Sequence, residues 1–158
     1  MSQPDRERKG RVVTVNRRAR KDYTILREYE AGLVLTGSEV KSIRQGNVNL
    51  KDSYVGIREQ EAFLFNAHIA EYKNSSYHNH EPNRLRKLLL HRREIRKIDK
   101  QVKGKGTTII PLKMYFNPRG KIKIEIAIAK GRREYEKKQA IKERDIKRDM
   151  QRQLKDYH

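Results

Sequence analysis

Residues Tyr29 to Asn49 read YEAGLVLTGSEVKSIRQGNVN, and the period of the pattern changes partway along them. Gly32-Leu33-Val34-Leu35 is strand-like and stops at Thr36-Gly37, after which a short helical pattern runs from Ser38 to Gln45 and closes at Gly46. Ser38 is a natural N-cap, Glu39 stands where the helix dipole favours an acid, and Gly46 suits a left-handed C-terminal turn. Val40 and Ile43, three apart, can face inward together, leaving Lys41 and Arg44 on another face to meet an acidic partner.

On either side the pattern is mostly strand. Asp22 to Leu35 carries β-branched and aromatic residues, which predicts a long or bent strand with a break near Ala31-Gly32. Leu50 to Arg58 and Ala62 to Tyr72 form a hairpin around Glu59-Gln60-Glu61, with Phe63, Phe65, Ala67 and Ile69 on the expected core face. Tyr54 suits either a core position or an RNA-stacking ring. Thr107 to Phe116 is a strand interrupted at Pro111, and Asn117-Pro118-Arg119-Gly120 turns it back into Lys121 to Ala129. There Ile122, Ile124, Ile126 and Ile128 alternate with polar or small residues, the mark of a half-buried strand. Pro82-Asn83 introduces a predicted helix over 83–102 with a stripe of Leu85, Leu88, Leu89, Ile95, Ile98 and Val102. The expected fold is mainly β, a small antiparallel OB-like barrel with a short helix at 38–45 and a longer basic helix at 83–102.

The formal charge is +19, and its placement is uneven: the first 21 residues carry a net +6, Asn83 to Gly106 +8, and Lys130 to His158 +5, so the strand-rich remainder is neutral. Clustered cations of this kind fit a polyanion, and nucleic acid repays them through counterion release. No apolar run approaches a membrane span, the N-terminus lacks the apolar segment of a signal peptide, and there is no cysteine. A cytoplasmic protein without disulfides or zinc-thiolate sites follows as the expectation. Residues 1–11 read as a disordered basic arm, 12–130 as the barrel with its helices, and 131–158 as a basic tail. The tail has good helix formers but only Ile141, Ile146, Met150 and Leu154 as sizeable aliphatic residues, so it is expected to be disordered when free and helical on a partner.

Chemistry finds little support. Tyr77-His78-Asn79-His80 offers two imidazoles, but one loop supplies too few ligands for a metal. A nuclease built from His78, His80, Glu71 and Glu81 lacks convincing spacing, and no nucleophile set or phosphate-cradling loop appears. A general RNA-binding barrel of the OB type and a ribosome-assembly factor fit the composition equally well.

Ordered motifs separate these readings. Asn16-Arg17-Arg18-Ala19-Arg20, Tyr29-Glu30-Ala31-Gly32, Gly37-Ser38-Glu39-Val40-Lys41-Ser42, Arg86-Lys87-Leu88-Leu89-Leu90-His91 and Ala129-Lys130-Gly131 occur at separations similar to those of small protein B (SmpB), the tmRNA-binding family of bacterial trans-translation. The resemblance implies an OB-like barrel that binds the tRNA-like domain of tmRNA without catalysis, cofactor or metal, and the charge argues for a monomer in a one-to-one complex. It also implies a tail that enters the empty decoding site and mRNA path of a stalled ribosome, so that the ribosome is rescued and the nascent chain tagged. The RNA-binding positions are then Asn16, Arg18, Glu30, Glu39, Lys41, Arg44, Tyr54, Lys87, Lys123, Lys130, Gly131, Arg132 and Arg133. Tail positions for the ribosome are Tyr135, Lys137, Lys138, Lys142, Arg144, Ile146 and Lys147. The chain departs from the family at Glu136-Lys137-Lys138, where Asp-Lys-Arg is frequent, and at Ile146, where many members carry Trp.

Overall fold

The computed structural model describes residues 10–74, 79–103, 106–132 and 146–157. Nine strands are described: β1 (Val12–Val15), β2 (Tyr23–Leu33), β3 (Val48–Asn49), β4 (Tyr54–Arg58), β5 (Glu61–Phe65), β6 (His68–Ile69), β7 (Arg86–Leu89), β8 (Thr107–Phe116) and β9 (Ile122–Gly131). The helices are α1 (Ala19–Asp22), α2 (Gly37–Arg44), α3 (Arg92–Val102) and α4, over residues 146–155. Strands pair in the order β8-β4-β5-β7-β2-β9, and β9 pairs back onto β8, so the antiparallel ladder closes into a barrel. The β4–β8 seam is short, with Val55 opposite Ile109, while β1 lies along the far half of β8.

Alternation on the longest strands fills the interior. Ile124, Ile126 and Ile128 point inward from β9, Met114 and Phe116 from β8, and Tyr29 and Ala31 from β2. On the outer side of the same ladder Ala127 and Ala129 join Ile110, Leu112 and Ala19 in a second small cluster, so α1 is pinned to the barrel wall. Pro111 marks a register shift in β8, as a residue without an amide donor should. In β2 the shift lies between Ile25 and Arg27, earlier than the break expected at Ala31-Gly32. Gly32 has another use: a Cβ there would sit 3.3 Å from Leu89 Cβ, at the point where β2 passes from β9 to β7.

Three local expectations are corrected. The helix expected over 83–102 is in fact strand β7 followed by α3, which begins only after His91, with Glu94 Oε1 accepting from the His91 amide at 3.1 Å. Leu88 enters the core from a strand and Ile98 from the helix, so both halves imitate one helical stripe. At α2 the N-cap is Thr36, not Ser38: Thr36 Oγ1 accepts from the Glu39 amide, and Glu39 Oε1 accepts from the Thr36 amide at 2.8 Å. This reciprocal pair is the capping box spelled by Thr36-x-x-Glu39. Finally, Asn66 takes a left-handed φ of 62° and reverses the alternation of the second hairpin strand. Ala62, Leu64, Ala67 and Ile69 therefore form the barrel core, and Phe63 and Phe65 lie on the outside with Tyr54 and Leu85.

Candidate nucleic-acid interface

Glu39 organises the wall behind the surface. Its carboxylate is fully buried and accepts from Arg86 Nε at 2.5 Å, from Arg84 Nη2 at 2.6 Å and from Arg84 Nε at 3.3 Å. Burial pushes the Glu39 pKa up, but the Arg84 hydrogen bond, the Thr36 amide and the charge and hydrogen bond of Arg86 outweigh it and hold the acid below 4.5. Arg86, wholly out of water, is pulled down by burial, which Glu39 only partly offsets. Glu39 faces two guanidiniums while Arg86 shares one carboxylate, and the guanidinium stays charged throughout. Arg86 also donates to Ala67 O at 2.7 Å and Pro82 O at 3.0 Å, tying β7, α2 and the loop before β7 together. Glu39, expected to contact RNA, therefore has no surface with which to do so.

In front of this cluster, α2 and the β8–β9 turn enclose an open groove of about 400 Å³ lined by Leu33, Val40, Arg44, Leu89, Lys121 and Lys123. Leu89, 52% exposed, lines it beside Leu35, Phe116 and Ile122, so an apolar lining and three cations share one groove. Among the described residues, Arg44, Lys121 and Lys123 are in no ion pair, so their charge is available to a polyanion. Beside the groove, on the outer face of the ladder, Glu30 accepts a hydrogen bond from the Tyr115 hydroxyl. Burial, with the Glu30 hydrogen bond and charge, raises the Tyr115 pKa, so the phenol stays protonated and fixes the carboxylate's direction. Lys113 Nζ lies 3.6 Å from Glu125 and 5.5 Å from the Tyr115 ring centre. Lys41, on the far side of α2, sits 5.5 Å from the Tyr72 ring centre.

Asn16, Arg18, Lys130, Gly131 and Arg132 gather at the other end of the β2–β9 ladder. Tyr23 pairs with Gly131 there, while Gly32 pairs with Lys123 at the groove end. At about 3.3 Å per residue the two ends are roughly 25 Å apart. Asn16 Nδ2 donates to Pro111 O at 2.9 Å across the β8 bulge, and Arg18 lines a small cleft beside it. Lys130 is exposed, Gly131 is buried, and Arg132 Nη2 donates to Arg20 O at 3.2 Å. Lys87 stands apart on the β5–β7 wall, 3.0 Å from Glu61. Tyr54 is only 9% exposed: it stacks on Phe65 at 5.1 Å and lies under α4, so in this conformation it is not open to RNA.

Arg133, Tyr135, Lys137, Lys138, Lys142, Arg144 and His78 lie outside the described residues, as does most of the arm expected over 1–11. Ile146 is half-buried and Lys147 exposed on α4. The tail, expected to fold only on a partner, here carries a helix seated on the barrel, because Ile146, Met150 and Leu154 fall on one face against the outer aromatic residues. His80 is buried between Ser38 Oγ and Ile69 O, each at 2.8 Å, so it braces a loop against α2. Sequence reasoning missed Leu89, Lys121 and Tyr115 as surface groups. The run Leu88-Leu89-Leu90 carried a usable signal, since three consecutive leucines cannot all face one core.

The groove thus presents three cations and an apolar lining, with one oriented carboxylate beside it. The model of the family described as SmpB protein matches residues 13–156. A protein named SsrA-binding protein from Sulfurihydrogenibium sp. (strain YO3AOP1) is 54% identical over 145 residues, covering 92% of this chain and 95% of its own. Another of the same name from Persephonella marina is 56% identical over 145 residues with the same coverage. Among solved structures, a chain from work described as "tmRNA-SmpB: a journey to the center of the bacterial ribosome" superposes with a TM-score of 0.65 at 47% identity, covering 78% of this chain and 91% of that one. The chain belongs to the SmpB protein family.

Proposed function

We propose that this chain is the tmRNA-binding adaptor of trans-translation: it binds the tRNA-like domain of SsrA RNA and delivers it to ribosomes stalled without mRNA in the channel. The observation that carries the reading is the α2/β8–β9 groove, where exposed Leu89 shares the lining with Lys123, Lys121 and Arg44, in a chain about half identical to proteins named for binding SsrA. Phosphate contacts from the cations supply affinity, while Leu89 and the oriented Glu30 meet bases or ribose in an irregular loop region, as recognition of folded RNA requires. Asn16, Arg18, Lys130 and Arg132, at the other end of the ladder, meet a second stretch of phosphates. The tail, through Tyr135, Lys137, Lys138, Lys142, Arg144, Ile146 and Lys147, takes the place of absent mRNA at the decoding site. The protein works as a monomer, one-to-one with tmRNA, in the cytoplasm where ribosomes translate; no helix among the described residues is long and apolar enough to cross a membrane.

The test is a titration of the full chain against the tRNA-like domain of tmRNA with an equally sized tRNA as competitor, at two salt concentrations. Preference for the tRNA-like domain that survives the higher salt is expected. Equal and salt-collapsing binding to both RNAs would reduce the surface to a generic cationic one.

A further inference from the structure

The arm expected over 1–11 ends in a contact that its composition does not announce. Arg11 lies just before β1 and is held on the end of β8 by the backbone: the Phe116 amide donates to Arg11 O at 2.8 Å, and the Gly10 amide donates to Asn117 O at 3.4 Å. From there its side chain crosses to α2, where Nη2 donates to Arg44 O at 2.9 Å. Carbonyls in the last turn of a helix have no partner within it, and the helix dipole gathers negative charge there. In α2 the amides of Gln45, Gly46 and Asn47 take up the carbonyls of Lys41, Ser42 and Ile43. Arg44 O is left for the guanidinium, which meets it with the favourable sign of charge. The same guanidinium lies over the Phe116 ring, with Cζ 5.8 Å from the ring centre.

The two anchors of Arg11 are the two walls of the groove. Val40 and Arg44 line it from α2, and Phe116, Gly120 and Lys121 line it from the end of β8 and the turn that follows, while Arg11 stays outside the lining. Among the described residues no other hydrogen bond or ion pair joins α2 to the segment 116–121. Ile43 and Phe116 share the barrel core, which seats α2 as a body; the last turn, which carries Arg44, takes its direction from the Arg11 bond. We propose that Arg11 is a positioning residue for RNA binding: it clamps the last turn of α2 to the end of β8 and so holds Arg44 where the groove meets a phosphate. The clamp stands on its contacts, and its use rests on the proposed reading of the groove as an RNA site. Arg11 acts through Arg44, so loss of either side chain removes the same contact. A guanidinium has further donors, which makes a direct phosphate contact by Arg11 the rival to exclude.

Arg11→Met keeps a stem that covers Phe116 and removes the charge and the donors. In the free full-length protein the amides of Gln45, Gly46 and Asn47 should exchange with solvent several-fold faster in this variant, with the β8–β9 amides unchanged. Unaltered exchange at those three amides would overturn the clamp. Titrated with the tRNA-like domain of tmRNA, Arg11→Met and Arg44→Ala should each weaken binding several-fold. The double variant should bind as Arg44→Ala does, to within about twofold, the usual scatter of additive effects. Arg11→Lys returns a donor to Arg44 O and should restore much of the affinity when Arg44 is present and none in the Arg44→Ala protein. Losses that multiply in the double variant, with the log–log salt slope falling by about one for each substitution, would overturn positioning and make Arg11 a phosphate contact in its own right. Undiminished binding by Arg44→Ala would overturn it as well. A parent protein with no preference for the tRNA-like domain over tRNA, alongside the expected exchange result, would strike the RNA reading together with the use proposed for Arg11 and leave the clamp alone standing.

Discussion

Replacing Glu39 by glutamine separates a structural role from an RNA contact. The carboxylate accepts four hydrogen bonds, from Arg86 Nε, Arg84 Nε, Arg84 Nη2 and the Thr36 amide. An amide offers one acceptor oxygen and turns an NH2 group toward guanidinium donors. It also leaves Arg86, with 0% of its side chain exposed, without a counter-charge. Breaking a buried pair from one side costs about 3–5 kcal/mol. Arg86 keeps the Ala67 and Pro82 carbonyls, and the partly exposed Arg84 can turn to water, so the lower end applies: about 3 kcal/mol, or roughly 12 °C in Tm. The pH dependence fixes the sign. Because the folded pKa of Glu39 is lowered, its contribution is complete above the unfolded value of 4.5 and is lost as pH falls through the folded one. Urea titrations followed by far-UV circular dichroism should show the parent well above Glu39→Gln at pH 7, with the gap closing as the pH falls below 4.5 toward the lowered folded pKa. A gap under about 1 kcal/mol at pH 7, or one that persists unchanged into acid, would refute the argument. Weaker RNA binding by a variant of undiminished stability would return Glu39 to the interface.

Lys123→Ala should weaken binding to the tRNA-like domain and reduce the log–log salt slope by about one, read from titrations at several salt concentrations. Leu89→Ala should weaken it with the slope unchanged, and an altered slope would show that Leu89 acts through the cations. Gly32→Ala brings a Cβ to 3.3 Å from Leu89 Cβ, so RNA affinity should fall by a larger factor than the folding equilibrium constant does. In the hairpin turn, Glu59 and Gln60 both hold left-handed φ values, 51° and 63°, so Glu59→Asn with Gln60→Gly should stabilise the barrel by about 1 kcal/mol in urea.

The β8–β9 hairpin was legible because each signal in it is local: isoleucines at period two, a proline at the bulge, Asn-Pro-Arg-Gly at the turn. Asn83 to Val102 was not, since its apolar spacing satisfies a helix while the deciding fact is remote. Arg86 points inward because Glu39, 47 positions earlier, is there to receive it. The same pair hides Glu39, which an acid in a basic protein does not reveal by itself. Thr36 as N-cap is readable from Thr36-x-x-Glu39, although Ser38 lies closer to the first periodic apolar residue. Asn66 is a different case: one left-handed residue shifts the phase of every side chain after it, and asparagine only permits that conformation. At the candidate site, the basic residues were visible as charge, but their division between the two ends of the β2–β9 ladder depends on register, which only the folded strands supply.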